Sequence, residues 1–315
     1  MLNKQEWGAT GLLLFVTFVW GASFVVVQNA IEVIEPFSYN FIRFLVASLW
    51  IGLYFLLSSF TSKKTRKEKK SFHLNDPSLW KIGFLLGFFL FLGFLLQTYG
   101  LKYTTSSKTG FITGLNVAFT PLLLFIFLKN KPKLHMISGI LLSIIGLFML
   151  TMRETEIMNK GDMLVVLCAI AFSVHIILTG KYSNSYNTLS LAFVQLVTVA
   201  FLSLINAILF EDVSIFFKSS LWTNSTFLLA LFITSFFCTA LAYGIQTYAQ
   251  RILPPTKVAM IFIFEPVFAA LTGVLFAGEI IPPLGYVGCL LILIGTIFVE
   301  VDWPKKSYQE VIKRG

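Results

Sequence analysis

The stretch from Gln246 to Glu279, QTYAQRILPPTKVAMIFIFEPVFAALTGVLFAGE, sets a carboxylate, Glu265, beside a proline, Pro266, in the middle of an apolar run from Val258 to Ala277. A run of that length is the signature of a helix that crosses a bilayer. A glutamate near its centre costs at least about 2.5 kcal/mol if it faces lipid, so Glu265 is expected to face protein or a water-filled cavity. On that ground alone it is a functional candidate.

The rest of the chain has the same character. Of 315 residues, 57% are hydrophobic and 12% charged, against roughly 25% charged in an ordinary soluble domain, and the mean hydropathy is +0.82. These values describe a polytopic membrane protein. Runs long enough to span occupy 8–28, 35–57, 79–101, 108–128, 134–152, 161–180, 188–210, 226–249, 257–277 and 283–301. The expected fold is therefore all-α and integral to the membrane, with ten transmembrane helices. Connections as short as 129–133 make neighbours antiparallel hairpins. The first run has no small-residue cleavage site behind it and reads as a retained span, not a signal peptide. Cys168, Cys238 and Cys289 lie inside apolar runs, without a CxxC pair or a disulfide framework.

The formal net charge of +9 arises from basic residues in the connections between spans. With the N-terminus in the cytoplasm, eighteen of the twenty-four Lys and Arg flank the cytoplasmic side. Five, Lys102, Lys108, Arg153, Lys160 and Lys218, flank the other side, and Arg43 lies inside a span. That asymmetry is the positive-inside pattern; it puts both termini in the cytoplasm and removes nucleic acid as an explanation of the charge. The lysine run between Ser58 and Pro77 is a topology anchor, with anionic lipid as a lesser partner.

The two halves repeat at an offset of 149. Gln97-Thr98-Tyr99 matches Gln246-Thr247-Tyr248, Lys102 matches Arg251, Lys108 matches Lys257, and Gly139 and Gly146 match Gly288 and Gly295. Five spans per repeat is an odd number, so the second copy enters the membrane inverted relative to the first. Inverted repeats let two halves rock about a site at the midplane, as transporters do.

Polar residues inside the spans are the candidates for that site. The fourth span carries Thr109, Thr113, Asn116 and Thr120 on one helical face, and the eighth carries Thr239, Tyr243, Gln246 and Gln250 at the same spacing. Such stripes turn inward, either as bonds between helices or as the lining of an aqueous path. His175 is a cavity donor, a proton relay or a packing residue. Arg43 is too deep to snorkel and calls for an internal anion; a pairing with Glu265 that holds helices together is favoured over a contact with a substrate carboxylate. Lys108 and Lys257, at equivalent helix starts, snorkel to headgroups or act as gate charges. Gly83 with Gly87 and Gly110 with Gly114 have the GxxxG spacing of close helix packing. The sequence holds no GxxxxGK[ST], HExxH or GxSxG motif, so neither ATP hydrolysis nor another enzymatic activity is expected, and no cofactor or metal is called for.

Trp20-Gly21-Ala22-Ser23-Phe24, Arg43-Phe44, Glu265-Pro266-Val267-Phe268 and Gly278-Glu279 closely resemble EamA-type permeases of the drug/metabolite transporter superfamily. The resemblance covers two EamA-like repeats, 10–152 and 161–301. It implies a central cavity lined by helices one to four and six to nine, with helices five and ten peripheral. Members export amino acids, other metabolites and drugs, and eukaryotic relatives exchange sugar phosphates or nucleotide sugars. Asn116 stands at the position equivalent to Glu265, so a symmetric two-carboxylate mechanism is not expected.

The expected cavity contacts are Trp20, Ser23, Asn116, His175, Tyr243, Gln246 and Glu265, with Arg43, Lys108 and Lys257 as structural or gating charges. The expected function is a secondary transporter in a bacterial plasma membrane that moves a small metabolite, such as an amino acid, by alternating access as an exporter. Its partners would be that substrate and the bilayer. Proton coupling or exchange, and a homodimer, remain open. The rival readings are a non-transporting scaffold or sensor, and a flippase for a lipid-linked intermediate.

Overall fold

The structure, a computed structural model, describes residues 4–61, 74–104, 106–128, 134–151, 159–277 and 283–300. In chain order, helices α1 (Lys4–Ile31), α2 (Pro36–Thr61) and α3 (Pro77–Gly100) are continuous. Helix α4 is broken into α4a (Ser106–Gly114) and α4b (Asn116–Leu128), and α5 (Leu134–Thr151) completes the first half. The second half opens with α6 (Lys160–Tyr182) and α7 (Thr188–Phe210). Helix α8 runs through Ser225–Phe232, a π-wound middle at Ile233–Leu241, and Ala242–Ala249. Helix α9 is broken into α9a (Pro255–Phe262) and α9b (Glu265–Ala277), and α10 (Pro283–Glu300) follows. Eight of the described helices are long and apolar enough to cross a membrane, and α5 and α10 add shorter apolar stretches.

Helices are what a bilayer permits, because each satisfies its own backbone hydrogen bonds where no water can. Their outward faces are apolar: Phe127, Leu209 and Phe210 are between 65% and 71% exposed, a surface suited to lipid. The ends are set by ordinary capping chemistry. Asp76 accepts from the backbone N–H of Ser78 at 2.8 Å just before Pro77 opens α3, and Asn159 and Asp162 form a reciprocal capping box on α6. Between α7 and α8, Asp212 accepts from the Ser214 hydroxyl and N–H, which hold its carboxyl below the usual range, with Lys218 adding a weaker pull.

The offset of 149 recurs in the helix boundaries. Leu134–Thr151 and Pro283–Glu300 correspond at both ends, as do Asn116–Leu128 and Glu265–Ala277, and the breaks at Leu115 and Phe264 are equivalent positions. The match extends to contacts. A Cβ on Gly146 would lie 2.6 Å from the Gly288 carbonyl oxygen, and one on Gly295 would lie 2.6 Å from the Gly139 carbonyl oxygen. Each glycine of α5 thus meets α10 backbone where its counterpart meets α5, so the two helices cross on the axis that relates the repeats. On α3, Gly83 and Gly87 admit Val194 and Thr198 of α7, the close approach expected of their spacing.

Gly146→Leu is expected to lower the melting temperature of the purified protein in detergent, consistent with an overpacking cost of about 1–3 kcal/mol. Gly52→Ala, where the nearest atom is 3.9 Å from a built Cβ, should leave it unchanged or slightly raised. Equal behaviour of the two variants would contradict the crossing.

Candidate functional site

The two broken helices bring their breaks to the interior of the bundle. Pro266 has no N–H to donate to the carbonyl of Phe262, and α9 is interrupted there, leaving Glu265 at the first position of α9b. A carboxylate in the first turn also complements the positive end of that half-helix. Helix α1 packs directly on this point: a Cβ on Gly21 would lie 2.5 Å from the Glu265 carbonyl oxygen and 2.9 Å from the Ala269 nitrogen. The neighbours of Gly21 use that approach. Trp20 donates its indole N–H to the Cys238 carbonyl at 2.7 Å, with its ring 5.0 Å from Phe262 and 5.6 Å from Tyr243, and Ser23 donates to the Trp20 carbonyl at 2.8 Å.

Around Glu265 lies a cavity with about 660 Å³ of open space, counting the part that meets solvent. All seven residues expected as cavity contacts line it: Trp20, Ser23, Asn116, His175, Tyr243, Gln246 and Glu265. Arg43 lines it too, as do Gln97, Thr98 and Thr113, with apolar walls that include Phe24, Phe94, Phe172 and Phe262. Twelve of the eighteen lining residues form six pairs related by the repeat: Ser23 with Phe172, Val27 with Ile176, Phe94 with Tyr243, Gln97 with Gln246, Thr113 with Phe262, and Asn116 with Glu265. The cavity therefore straddles the axis between the halves. Sequence reasoning named one member of several pairs and missed the other; the offset applied to Gln246 and Tyr243 would have found Gln97 and Phe94.

The polar lining is held by specific bonds. Gln250 donates to the Ile176 carbonyl at 2.7 Å, which leaves its oxygen to accept from Gln246 Nε2 at 3.2 Å. Gln246 Oε1 then remains a buried acceptor without a partner among the described residues, as does Asn116 Oδ1. Gln97 donates to Thr113 at 3.1 Å. His175 Nε2 contacts Gln195 Oε1 at 2.8 Å; because Gln195 gives its own N–H to the Leu191 carbonyl, Nε2 is assigned the hydrogen. Glu265, 7% exposed, makes no side-chain hydrogen bond or ion pair among the described residues and opens onto the cavity.

Several residues go elsewhere. The expected pairing of Arg43 with Glu265 is not formed: Arg43 Nε donates to Thr239 Oγ1 at 2.8 Å, and its guanidinium lies over the rings of Phe94 and Phe44 at 4.9 and 5.5 Å. Thr239 in turn donates to the Thr234 carbonyl at 2.7 Å, five residues back, in the register of the π-wound segment. That winding carries Thr239 to Arg43 instead of the cavity. Thr109, Thr120 and Gln250 are buried but do not line the space. Lys257 is half-buried in the first turn of α9a, away from it. The side chain of Lys108, and Glu279, lie outside the described residues.

A model of the EamA-like transporter family matches the chain twice, at residues 7–152 and 159–301. The chain belongs to the EamA-like transporter family. It is 32% identical over 306 residues to an uncharacterized transporter of Archaeoglobus fulgidus, covering 95% of this chain and 90% of that protein. The uncharacterized transporter YrdR of Bacillus subtilis is 24% identical over 318 residues, covering 96% and 94%. A protein crystal structure that is 17% identical superposes with a TM-score of 0.74 over 93% of this chain and 96% of its own. The EamA-like motifs of the first and ninth spans thus acquire a geometric meaning: WGASF is the segment of α1 that packs on the break of α9, and Glu265-Pro266 is the break.

Single cysteines in a background lacking Cys168, Cys238 and Cys289 test the lining. Thr113→Cys and Asn116→Cys are expected to react with a small water-soluble thiol reagent, and Thr120→Cys to remain unreactive. Uniform reactivity, or none, would contradict the cavity.

Proposed function

We propose that this EamA-like protein is a secondary transporter that moves a small polar or amphipathic metabolite, such as an amino acid, across the cell membrane by alternating access, working outward as an exporter. The observation that carries the reading is the cavity on the axis between the two repeats, because a site shared by inverted halves faces either side of the membrane as those halves exchange conformations. The units that rock are the repeats at 10–152 and 161–301. The excess of Lys and Arg on one side supports cytoplasmic termini, and the archaeal and bacterial relatives support a prokaryotic plasma membrane.

Glu265 is the coupling group in this reading. An acid with no partner among the described residues, opening onto a cavity, accepts a proton or a substrate cation in turn, so that binding one releases the other. Gly21 and Trp20 hold it in place, one through backbone contact and the other by closing the wall beside it.

Purified protein in liposomes is expected to carry at least one member of a broad amino-acid and metabolite panel in a saturable way, with a pH gradient driving accumulation. Glu265→Gln should abolish the pH-driven component. If that variant retained it in full, Glu265 would not be the coupling group; folded protein that moved nothing from the panel would remove the transport reading itself.

A further inference from the structure

The cavity holds a cation and an acid that do not pair with one another. Arg43 is 3% exposed, and its guanidinium is a permanent cation with five N–H donors. Among the described residues it has one hydrogen-bond acceptor, Thr239 at Nε, and no acidic side chain within ion-pairing distance. Its position is nonetheless fixed. Thr239 is tied to the Thr234 carbonyl, Tyr39 donates to Thr234 Oγ1 at 2.8 Å, and the rings of Phe94 and Phe44 flank the guanidinium. That arrangement occupies Nε and leaves the terminal nitrogens for an acceptor that no described residue supplies.

Glu265 presents the complementary case: a carboxylate on the same cavity, with no hydrogen bond or ion pair among the described residues. A buried charge without compensation is strongly unfavourable. A ligand that bore only an anion would answer Arg43 and leave Glu265 to be met by a proton; one that bore only a cation would answer Glu265 and leave Arg43, which cannot shed its charge, without an anion.

We propose that Arg43 and Glu265 form a two-point site for a dipolar ligand, with a carboxylate held by the terminal nitrogens of Arg43 and a protonated amine held by Glu265. The paired N–H groups of a guanidinium match a carboxylate in a way that a single point charge does not. The aromatic wall of Trp20, Phe94, Phe172 and Phe262 sheathes an apolar body between or beside the two charged ends. Arg43 thereby changes from a helix-holding charge to a specificity determinant. The proposal rests on the cavity being the substrate site, but not on transport taking place.

Binding to the purified full-length protein is measured by calorimetry with matched trios: phenylalanine, phenethylamine and 3-phenylpropionate; leucine, isopentylamine and 4-methylpentanoate. At least one amino acid is expected to bind, with both of its singly charged analogues weaker by about tenfold or more. Arg43→Gln should erase the preference over the amine while keeping that over the acid, and Glu265→Gln the converse; Arg43→Lys should recover part of the loss. If neither amino acid bound, if an analogue bound as tightly as its parent, or if folded variants kept the wild-type preferences, the two-point site would be overturned. Should a variant fail to fold, the wild-type trios decide. Selective binding without flux in liposomes would remove the transport reading and leave this one, whereas flux of singly charged solutes without amino-acid binding would do the opposite.

Discussion

Helix α1 touches the backbone of α9 at Gly21, where any side chain would collide with the carbonyl of Glu265. The rest of the interior depends on that contact. A helix that breaks inside a bilayer must have its freed backbone groups and any nearby charge enclosed by protein or by a water-filled space. Gly21 brings α1 close enough to cover one side of the break, and Trp20, the residue before it, reaches across to the Cys238 carbonyl of α8. Three helices from two repeats are thereby joined at one point, and the cavity is what remains between them.

Helix α8 supplies the second constraint. Its π-wound segment turns Thr239 toward Arg43 and points the Cys238 carbonyl at Trp20, two contacts that a regular α-helix of the same sequence would aim elsewhere. Short π segments recur at functional sites because they re-aim side chains at small cost to the backbone. Here the same segment fixes a tryptophan and an arginine on the lining of one cavity.

Repetition supplies the shape of the cavity, and divergence between the repeats supplies its chemistry. The first half contributes Ser23, Thr113 and Asn116 where the second contributes Phe172, Phe262 and Glu265. A site lined by identical halves would present the same groups twice. This one places hydroxyls and an amide opposite aromatic rings and an acid, an asymmetry suited to a ligand whose ends differ.

Composition and periodicity alone determined that this chain is a ten-helix membrane protein with an internal repeat, because a bilayer imposes a span length and an apolar surface that are visible residue by residue. The seven polar and aromatic residues nominated for the cavity were legible for a related reason: a polar group inside an apolar run is conspicuous, and it has few places to go. Partnership was not legible. Arg43 and Glu265 stand out equally as buried charges, and pairing them is the economical guess from sequence. Only the packing of α2 against the π-wound part of α8 and against α3 decided that Arg43 binds Thr239 and lies over the rings of Phe44 and Phe94 instead. Nor could spacing reveal that Thr239 leaves the stripe it shares with Tyr243, since that depends on one extra residue per turn in the helix. Which residues lie inside follows from local chemistry and is written along the chain; which of them touch depends on how ten helices are rotated about their axes, and that is settled by contacts between residues far apart in sequence.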